Sequence, residues 1–227
     1  MLVNLPSLPF ANRAEAGVAL ASQLQHYADH ADVIVLGLPR GGVPIAATVA
    51  RTLGARFDVF VVRKLGVPGH RELAMGAIAS GGAQVLNQGV IDALHLTDRD
   101  VRQVAAEEQR ELRRRELAYR GDRPPVALSG QVVVLVDDGL ATGSTMLAAV
   151  QAIRLQKPRR IVVAVPVASQ QASARLRQAA DEVVCVRVPK AFSAVGEWYI
   201  DFAETSDDEV REALKEAAAE TAPIKLP

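Results

Sequence analysis

Residues 132–146 read VVVLVDDGLATGSTM. An unbroken apolar run stops at two aspartates and gives way to glycine, small residues and hydroxyls. The run is a strand buried on both faces, as strands of parallel sheets are. Asp137 and Asp138 then leave its carboxyl end, where open parallel sheets bind ligands. Adjacent residues on a strand point in different directions, so the two carboxylates serve different parts of a ligand, or a ligand and its metal. Gly139 and Gly143 permit tight turns and a close backbone approach. A helix beginning near Gly143 turns free N–H groups and its positive dipole end back on the loop. Hydroxyls of Thr142, Ser144 and Thr145 add donors, and together these make a cup for a monophosphate. A ribose 5-phosphate uses both features, phosphate in the cup and ring hydroxyls on the aspartates. A plain strand-to-helix turn with Thr142 as N-cap is the simpler alternative. The lysine of a nucleotide-binding P-loop and the Gly-x-Gly-x-x-Gly of a dinucleotide fold are both missing from this stretch.

Further strands are expected at 33–38, 57–62, 74–79, 160–167 and 182–188, mostly continuous runs of valine and isoleucine. Between them, Ala14, Val18, Ala21, Leu24 and Ala28 recur at helical spacing, as do Met146, Val150 and Ile153. QQASARLRQAA reads as another helix. Thr97 with Asp100 forms a capping box that opens a charged helix through about Tyr119, and Ser206 with Glu209 opens a last one near Asp207. The alternation predicts an α/β fold, an open, twisted, mostly parallel sheet with helices on both faces. One domain over 1–227 is expected, and the final TAPIKLP is expected to be loose.

The chain has 227 residues, 49% of them hydrophobic, enough for one sizeable core. Its 26 basic and 26 acidic residues leave no global field for nucleic acid or anionic membrane. The run RELRRRELAYR is interleaved with glutamates and reads as a solvated, salt-bridged helix face. Cys185 is the sole cysteine and sits in an apolar run, which suits core packing. No apolar run is long enough to span a membrane, and MLVNLPSLPF lacks the basic start of a signal peptide. A cytoplasmic protein is expected.

VVLVDDGLATGST resembles the phosphoribosyl-pyrophosphate (PRPP) motif of type I phosphoribosyltransferases: an apolar strand, two acids, two mostly apolar residues, then small-Thr-Gly-x-Thr. It departs from that pattern at Gly139, where the family usually has an aliphatic residue. Ala141 matches adenine enzymes at a position where hypoxanthine-guanine enzymes carry an aspartate. LPRGG, RKLGVPG and AVGEWYIDF further resemble a bacterial group of this family whose acceptor is generally unassigned.

The resemblance implies a type I phosphoribosyltransferase-like fold with a small hood, here about 189–206, followed by a C-terminal helix from about 207. It implies a pentosyltransferase that uses Mg²⁺ and PRPP, moves the phosphoribosyl group to a nitrogenous base and releases pyrophosphate. Asp137 and Asp138 would hold the ribose and, through water, the metal; Ala141, Thr142, Gly143, Ser144 and Thr145 would hold the 5-phosphate. GLPRGGVPIA (37–46) resembles the pyrophosphate loop, with Arg40, Gly41 and Gly42 as contacts and, often in the family, a cis non-proline peptide. Arg63 and Lys64, at the end of the second expected strand, would stabilise departing pyrophosphate. His70, Arg71 and Glu72 would lie on a mobile loop that closes over the donor; His70 suits a solvated loop residue equally well. Phe192 and Trp198 would stack on the base and Asp201 would meet magnesium, although a hydrophobic cap on the sheet edge explains Trp198 as readily. Dimerisation is common in the family. A PRPP- or nucleotide-sensing regulator on the same fold is the alternative function, with nucleic-acid binding disfavoured by the charge balance.

Overall fold

The structure, a computed structural model, describes residues 8–220. MLVNLPS at the start and TAPIKLP at the end lie outside the described residues. Five strands form a parallel sheet: β1 (Val33–Gly37), β2 (Arg56–Val59), β6 (Val132–Val136), β7 (Arg160–Val167) and β8 (Glu182–Arg187), in the order β2-β1-β6-β7-β8. Val33, Ile34 and Val35 of β1 lie beside Val132, Val133 and Val134 of β6.

The continuous apolar runs are explained by burial on both sides. Ile34, Leu36, Val133, Leu135, Ile161 and Val163 face a core shared with Met146, Val150 and Ile153 of α5 (Ser144–Leu155). Val33, Val35, Val132, Val134 and Val162 face the opposite core, with α1 (Arg13–Gln23) and α2 (Gly42–Leu53). Helix α1 forms where the spacing predicts, but on a different face. Val18 is 62% exposed, while Ala16, Leu20, Ala21 and Leu24 are buried. The cause is Gly17, whose missing side chain lets Thr48 of α2 approach to 2.9 Å of where a Cβ would stand.

The expected strand 57–62 is two pieces of different sheets. At Phe60 the N–H still donates to the Gly37 carbonyl (3.0 Å), whereas the Val61 N–H donates to the Ser80 hydroxyl (3.0 Å). From there β3 (Val62–Val67), β4 (His70–Ala79) and β5 (Ala83–Leu86) build a separate antiparallel sheet, and the expected strand 74–79 is the latter part of β4. The stretch read as a catalytic loop is therefore a hairpin. Pro68 and Gly69 form its tip, with Gly69 at φ +78°, as the third position of a type II turn requires. Arg63 and Lys64 stand in its first strand rather than at the end of a sheet strand.

Helix α4 (Asp98–Arg120) packs on this hairpin through Val101, Leu112 and Tyr119, and opens with the Thr97–Asp100 capping box. On its outer face Arg114 and Arg115 both bind Glu111, at 2.7 and 2.8 Å, and hold that carboxyl down to about 2. This is the salt-bridged face expected for RELRRRELAYR. At its C-terminus Arg120 donates through Nε to both oxygens of Asp58 on β2, at 2.8 and 3.0 Å. The pair is buried and fastens the helix to the edge of the parallel sheet. Two further helices, α3 (Gln88–Ala93) and α6 (Gln170–Leu176), complete the links before α7 (Asp207–Glu220). Cys185 is partly buried against the core beside α5, and burial pushes its thiol up. Among the described residues no helix is long and apolar enough to cross a membrane.

Chain direction across the parallel sheet reverses between β1 and β6: β1 leads outward to β2, β6 to β7 and β8. Open α/β sheets place their ligand crevice at such a reversal, outside the carboxyl ends of the strands. The loops after Gly37 and Val136 both open there.

Candidate active site

Asp137 and Asp138 end β6 at this crevice. Asp137 turns Oδ1 back to accept the Asp138 N–H (2.9 Å). Asp138 gives Oδ2 to Arg13, which donates from Nε (3.2 Å) and Nη2 (2.9 Å). Among the described residues, no side chain or main-chain group of another residue bonds Oδ2 of Asp137 or Oδ1 of Asp138, so each acid keeps one oxygen for a ligand. Burial, and then the Asp138 charge, raise the Asp137 carboxyl well above its usual range. Burial raises Asp138 as well, with Arg13 pulling the other way. A carboxylate pair so placed gains from any cation brought to its free oxygens.

The loop beyond them is fixed from the side facing away from solvent. Leu140 donates to the Val167 carbonyl (2.9 Å), and the Ser169 hydroxyl donates to the Ala141 carbonyl (2.7 Å). Gly143 caps α5 at φ +69°, with Ala172 3.2 Å from where its Cβ would stand. Gly143 has no side chain to cap the helix, and the Thr142 hydroxyl just before it accepts the Ser144 N–H (3.4 Å). Ala141, Thr142, Ser144 and Thr145 are exposed, and the Thr142 and Ser144 hydroxyls lie 3.2 Å apart. The start of α5 thus lies exposed at the crevice, with the Ser144 N–H resting on the Thr142 hydroxyl. Gly139, the departure from the family pattern, has a physical reason. A Cβ there would stand 2.5 Å from Val195, which fills the space an aliphatic side chain would need.

Across the crevice the Pro39–Arg40 peptide is cis, and α2 starts at Gly42. A Cβ on Gly41 would reach 2.0 Å from Oδ2 of Asp138. On Gly42 it would meet the Val136 carbonyl oxygen at 2.7 Å and the Asp137 Cα at 2.8 Å. Those last two are backbone atoms and cannot rotate aside. Gly42→Ala is expected to destabilise the protein by about 1–3 kcal/mol, the usual range for overpacking. The measurement is the denaturation midpoint, and an unchanged midpoint would mean that α2 is not seated against β6 as described.

Arg40 pairs with Glu204, and a cleft of 320 Å³ is lined by Arg13, Arg40, Gly41, Asp138, Phe202 and Glu204. Arg63 and Lys64 line a different cleft, between the hairpin and α4. Arg63 is bound there to Glu108, with Nε at 2.7 Å and Nη2 at 2.6 Å, and Lys64 is exposed. His70 is exposed at the start of β4, and the side chains of Arg71 and Glu72 lie outside the described residues. The structure therefore brings Asp137, Asp138, the 141–145 loop, Arg40, Gly41 and Gly42 together, and holds Arg63 and Lys64 apart from them.

Phe192 and Trp198 are partly buried on the core beside α1 and α2, together with Val195 and Phe202. Trp198 lies in a short turn, Val195–Trp198, and its carbonyl accepts the Phe10 N–H (2.8 Å). Asp201 is exposed, and its Oδ1 accepts the Ala203 N–H (3.1 Å). Among the described residues no group of three or more His, Cys, Asp or Glu side chains could hold a metal.

Arg13 and Glu204 join the site with no motif to mark them, and Tyr199, one of the clustered aromatics, joins it through its hydroxyl rather than as a stacking ring. Tyr199 donates its hydroxyl to the Asp138 carbonyl (2.6 Å), and its pKa is raised, first by burial and then by the Asp138 charge. The one local signal was the run of aromatics in GEWYIDF, which reads equally as a stacking surface.

The family model described as "Phosphoribosyl transferase domain" matches residues 11–202, from the residue before Asn12 to Phe202 beneath Arg13. The chain belongs to this family. Two Mycobacterium tuberculosis proteins, from strains CDC 1551 / Oshkosh and ATCC 25618 / H37Rv, are each named "Putative phosphoribosyl transferase" and are 47% identical over 201 residues. The matched region is 88% of this chain and 45% of each relative, so the chain spans about half their length. The crystal structure of TT1426 from Thermus thermophilus superposes with a TM-score of 0.82 at 45% identity, covering 92% of this chain and 99% of that one. The phosphoribosyl transferase domain thus has the mostly parallel type I architecture, with a small antiparallel sheet added.

Proposed function

We propose that this phosphoribosyl transferase domain binds PRPP with Mg²⁺ and transfers the 5-phosphoribosyl group to a nitrogenous base. One observation carries the reading: the exposed, hydroxyl-rich start of α5 stands beside two half-free carboxylates at the reversal point of the sheet. A sugar bearing a 5-phosphate satisfies both. The hydroxyls of Thr142, Ser144 and Thr145 and the α5 amides take the phosphate. The free oxygens of Asp137 and Asp138 take the two adjacent ring hydroxyls.

In the transfer, the bond from C1 to the pyrophosphate oxygen breaks and the electron pair leaves with pyrophosphate. The acceptor nitrogen bonds to C1 and loses a proton. Positive charge spreads over C1 and the ring oxygen in the transition state, while negative charge grows on the leaving group. Arg40 and the amides of Gly41 and Gly42 are placed to meet that negative charge. Arg63 and Lys64 join them if the hairpin swings in and Arg63 leaves Glu108, which would also exclude water from a reactive sugar.

The donor set suits Mg²⁺, since Asp137 and Asp138 offer hard oxygens in the small number that this ion takes from proteins. When bound, it supplies neutralisation of pyrophosphate charge. Asp201 is a further candidate for the same ion, and Phe192 and Trp198 are candidates for the wall against which the base rests.

Thr142→Ala tests the cup. Loss of one charge-assisted hydrogen bond of about 1.5–3 kcal/mol should weaken PRPP binding roughly ten- to a hundred-fold by calorimetry with Mg²⁺. Unchanged affinity would remove the 5-phosphate from this loop.

A further inference from the structure

We propose that Arg13 is a positioning residue of the donor site, holding Asp138 so that one carboxylate oxygen faces the sugar. The inference rests on the reading that Asp138 meets the ribose. Arg13 lies outside the acid-acid-loop motif, at the first turn of α1, where Asn12 caps the helix by accepting the Glu15 N–H (3.0 Å).

The guanidinium is fixed on three sides. Nε and Nη2 both reach Oδ2 of Asp138, and Nη1 donates to the Ala203 carbonyl (2.6 Å). Its flat face lies 4.2 Å from the centre of the Phe202 ring. Phe202 stacks on Tyr199 at 4.9 Å, and the Tyr199 hydroxyl holds the Asp138 carbonyl. Asp138 is therefore gripped at both its main chain and its carboxylate by one unit.

That unit is tied to the start of the chain. The Ile200 N–H donates to the Phe10 carbonyl (2.8 Å), and the Asp201 N–H donates to the Ala11 carbonyl (2.9 Å). Arg13 follows directly, so the pairing sets its place.

A surface ion pair would contribute little to stability. This one is 13% and 16% exposed, and Nη2 of Arg13 lies 3.3 Å from where a Gly41 Cβ would stand. The pair thus sits between the acidic motif and the pyrophosphate loop, where it fixes the direction in which the carboxylate faces. Without Arg13, the carboxylate is free to turn about its χ2, and its second oxygen is no longer held toward the crevice.

The test is binding, not turnover. Wild type, Arg13→Gln and Arg13→Lys are titrated calorimetrically with PRPP plus Mg²⁺, with ribose 5-phosphate, and with orthophosphate, beside a thermal melt of each. The expected result for Arg13→Gln is a loss of about tenfold or more for both ribose ligands, with orthophosphate unchanged. Arg13→Lys, which keeps the charge but not the fork, should fall between. Four outcomes overturn the proposal. The first is full affinity for the ribose ligands. The second is loss of PRPP alone, which would make Arg13 a pyrophosphate contact. The third is a fall in orthophosphate binding parallel to the sugars, the mark of general disruption. The fourth is a lysine variant no better than glutamine. Failure of the wild type to bind PRPP is a separate result, and it brings down the donor-site reading itself.

Discussion

Asp137→Asn combined with Asp138→Asn is expected to abolish turnover while leaving the fold intact. Each acid keeps one free oxygen at the crevice, and an amide there offers a neutral carbonyl or an N–H donor instead. Neither replaces a charged acceptor that strengthens as the sugar becomes cationic. The stability half follows from the raised carboxyls. A group whose folded pKa lies above its unfolded value favours the protonated folded state, so its ionisation at neutral pH opposes folding. The neutral amides remove that opposition, which offsets the charge partner that Arg13 loses at position 138. Pyrophosphate release from PRPP over a panel of bases, read beside the melting temperature, checks both halves. Activity close to wild type would end the role assigned to the pair, and a collapsed melt would mean that the acids are structural.

Arg120→Met is expected to cost about 3–5 kcal/mol of stability, because it strands Asp58 in a buried site. Side-chain exposures of 5% for Arg120 and 8% for Asp58 leave almost no water to take over. Asp58 would retain only the main-chain N–H groups of Val59 (2.8 Å) and Val126 (3.4 Å). Removing the charge as well, in Asp58→Asn with Arg120→Met, should recover much of the loss. Urea denaturation of wild type, Arg120→Met, Asp58→Asn and the double variant measures the coupling. Equal losses in the single and double variants would show that the arginine contributes packing rather than charge.

The parallel sheet was legible because its strands are buried on both faces, which writes long apolar runs such as VVVLV and RIVVAVPV into the sequence. The loop after Asp138 was legible for a different reason: contiguous residues build it, so motif and geometry coincide. The hairpin was not legible. Its Gly66, Pro68 and Gly69 carry loop chemistry, and its inward residues Leu65 and Val67 are separated by one of those glycines. Nor could the division at Phe60–Val61 be read, since apolar residues continue on both sides of it. Arg13 escaped because its partner Asp138 is remote in sequence, and no local pattern marks a helix-start arginine as part of a distant site. The partly buried seat of Phe192 and Trp198 was hidden likewise, since aromatic clustering does not say which way the rings turn.

Val195 pressing on Gly139 makes two positions share one allotment of volume. The bulk that an aliphatic side chain at 139 would bring is delivered in this chain from a remote turn. Graded by itself, the motif looks defective at that letter, yet the vacancy has a tenant. Sequence comparisons would therefore do better to score the pair jointly: where position 139 grows, position 195 must shrink.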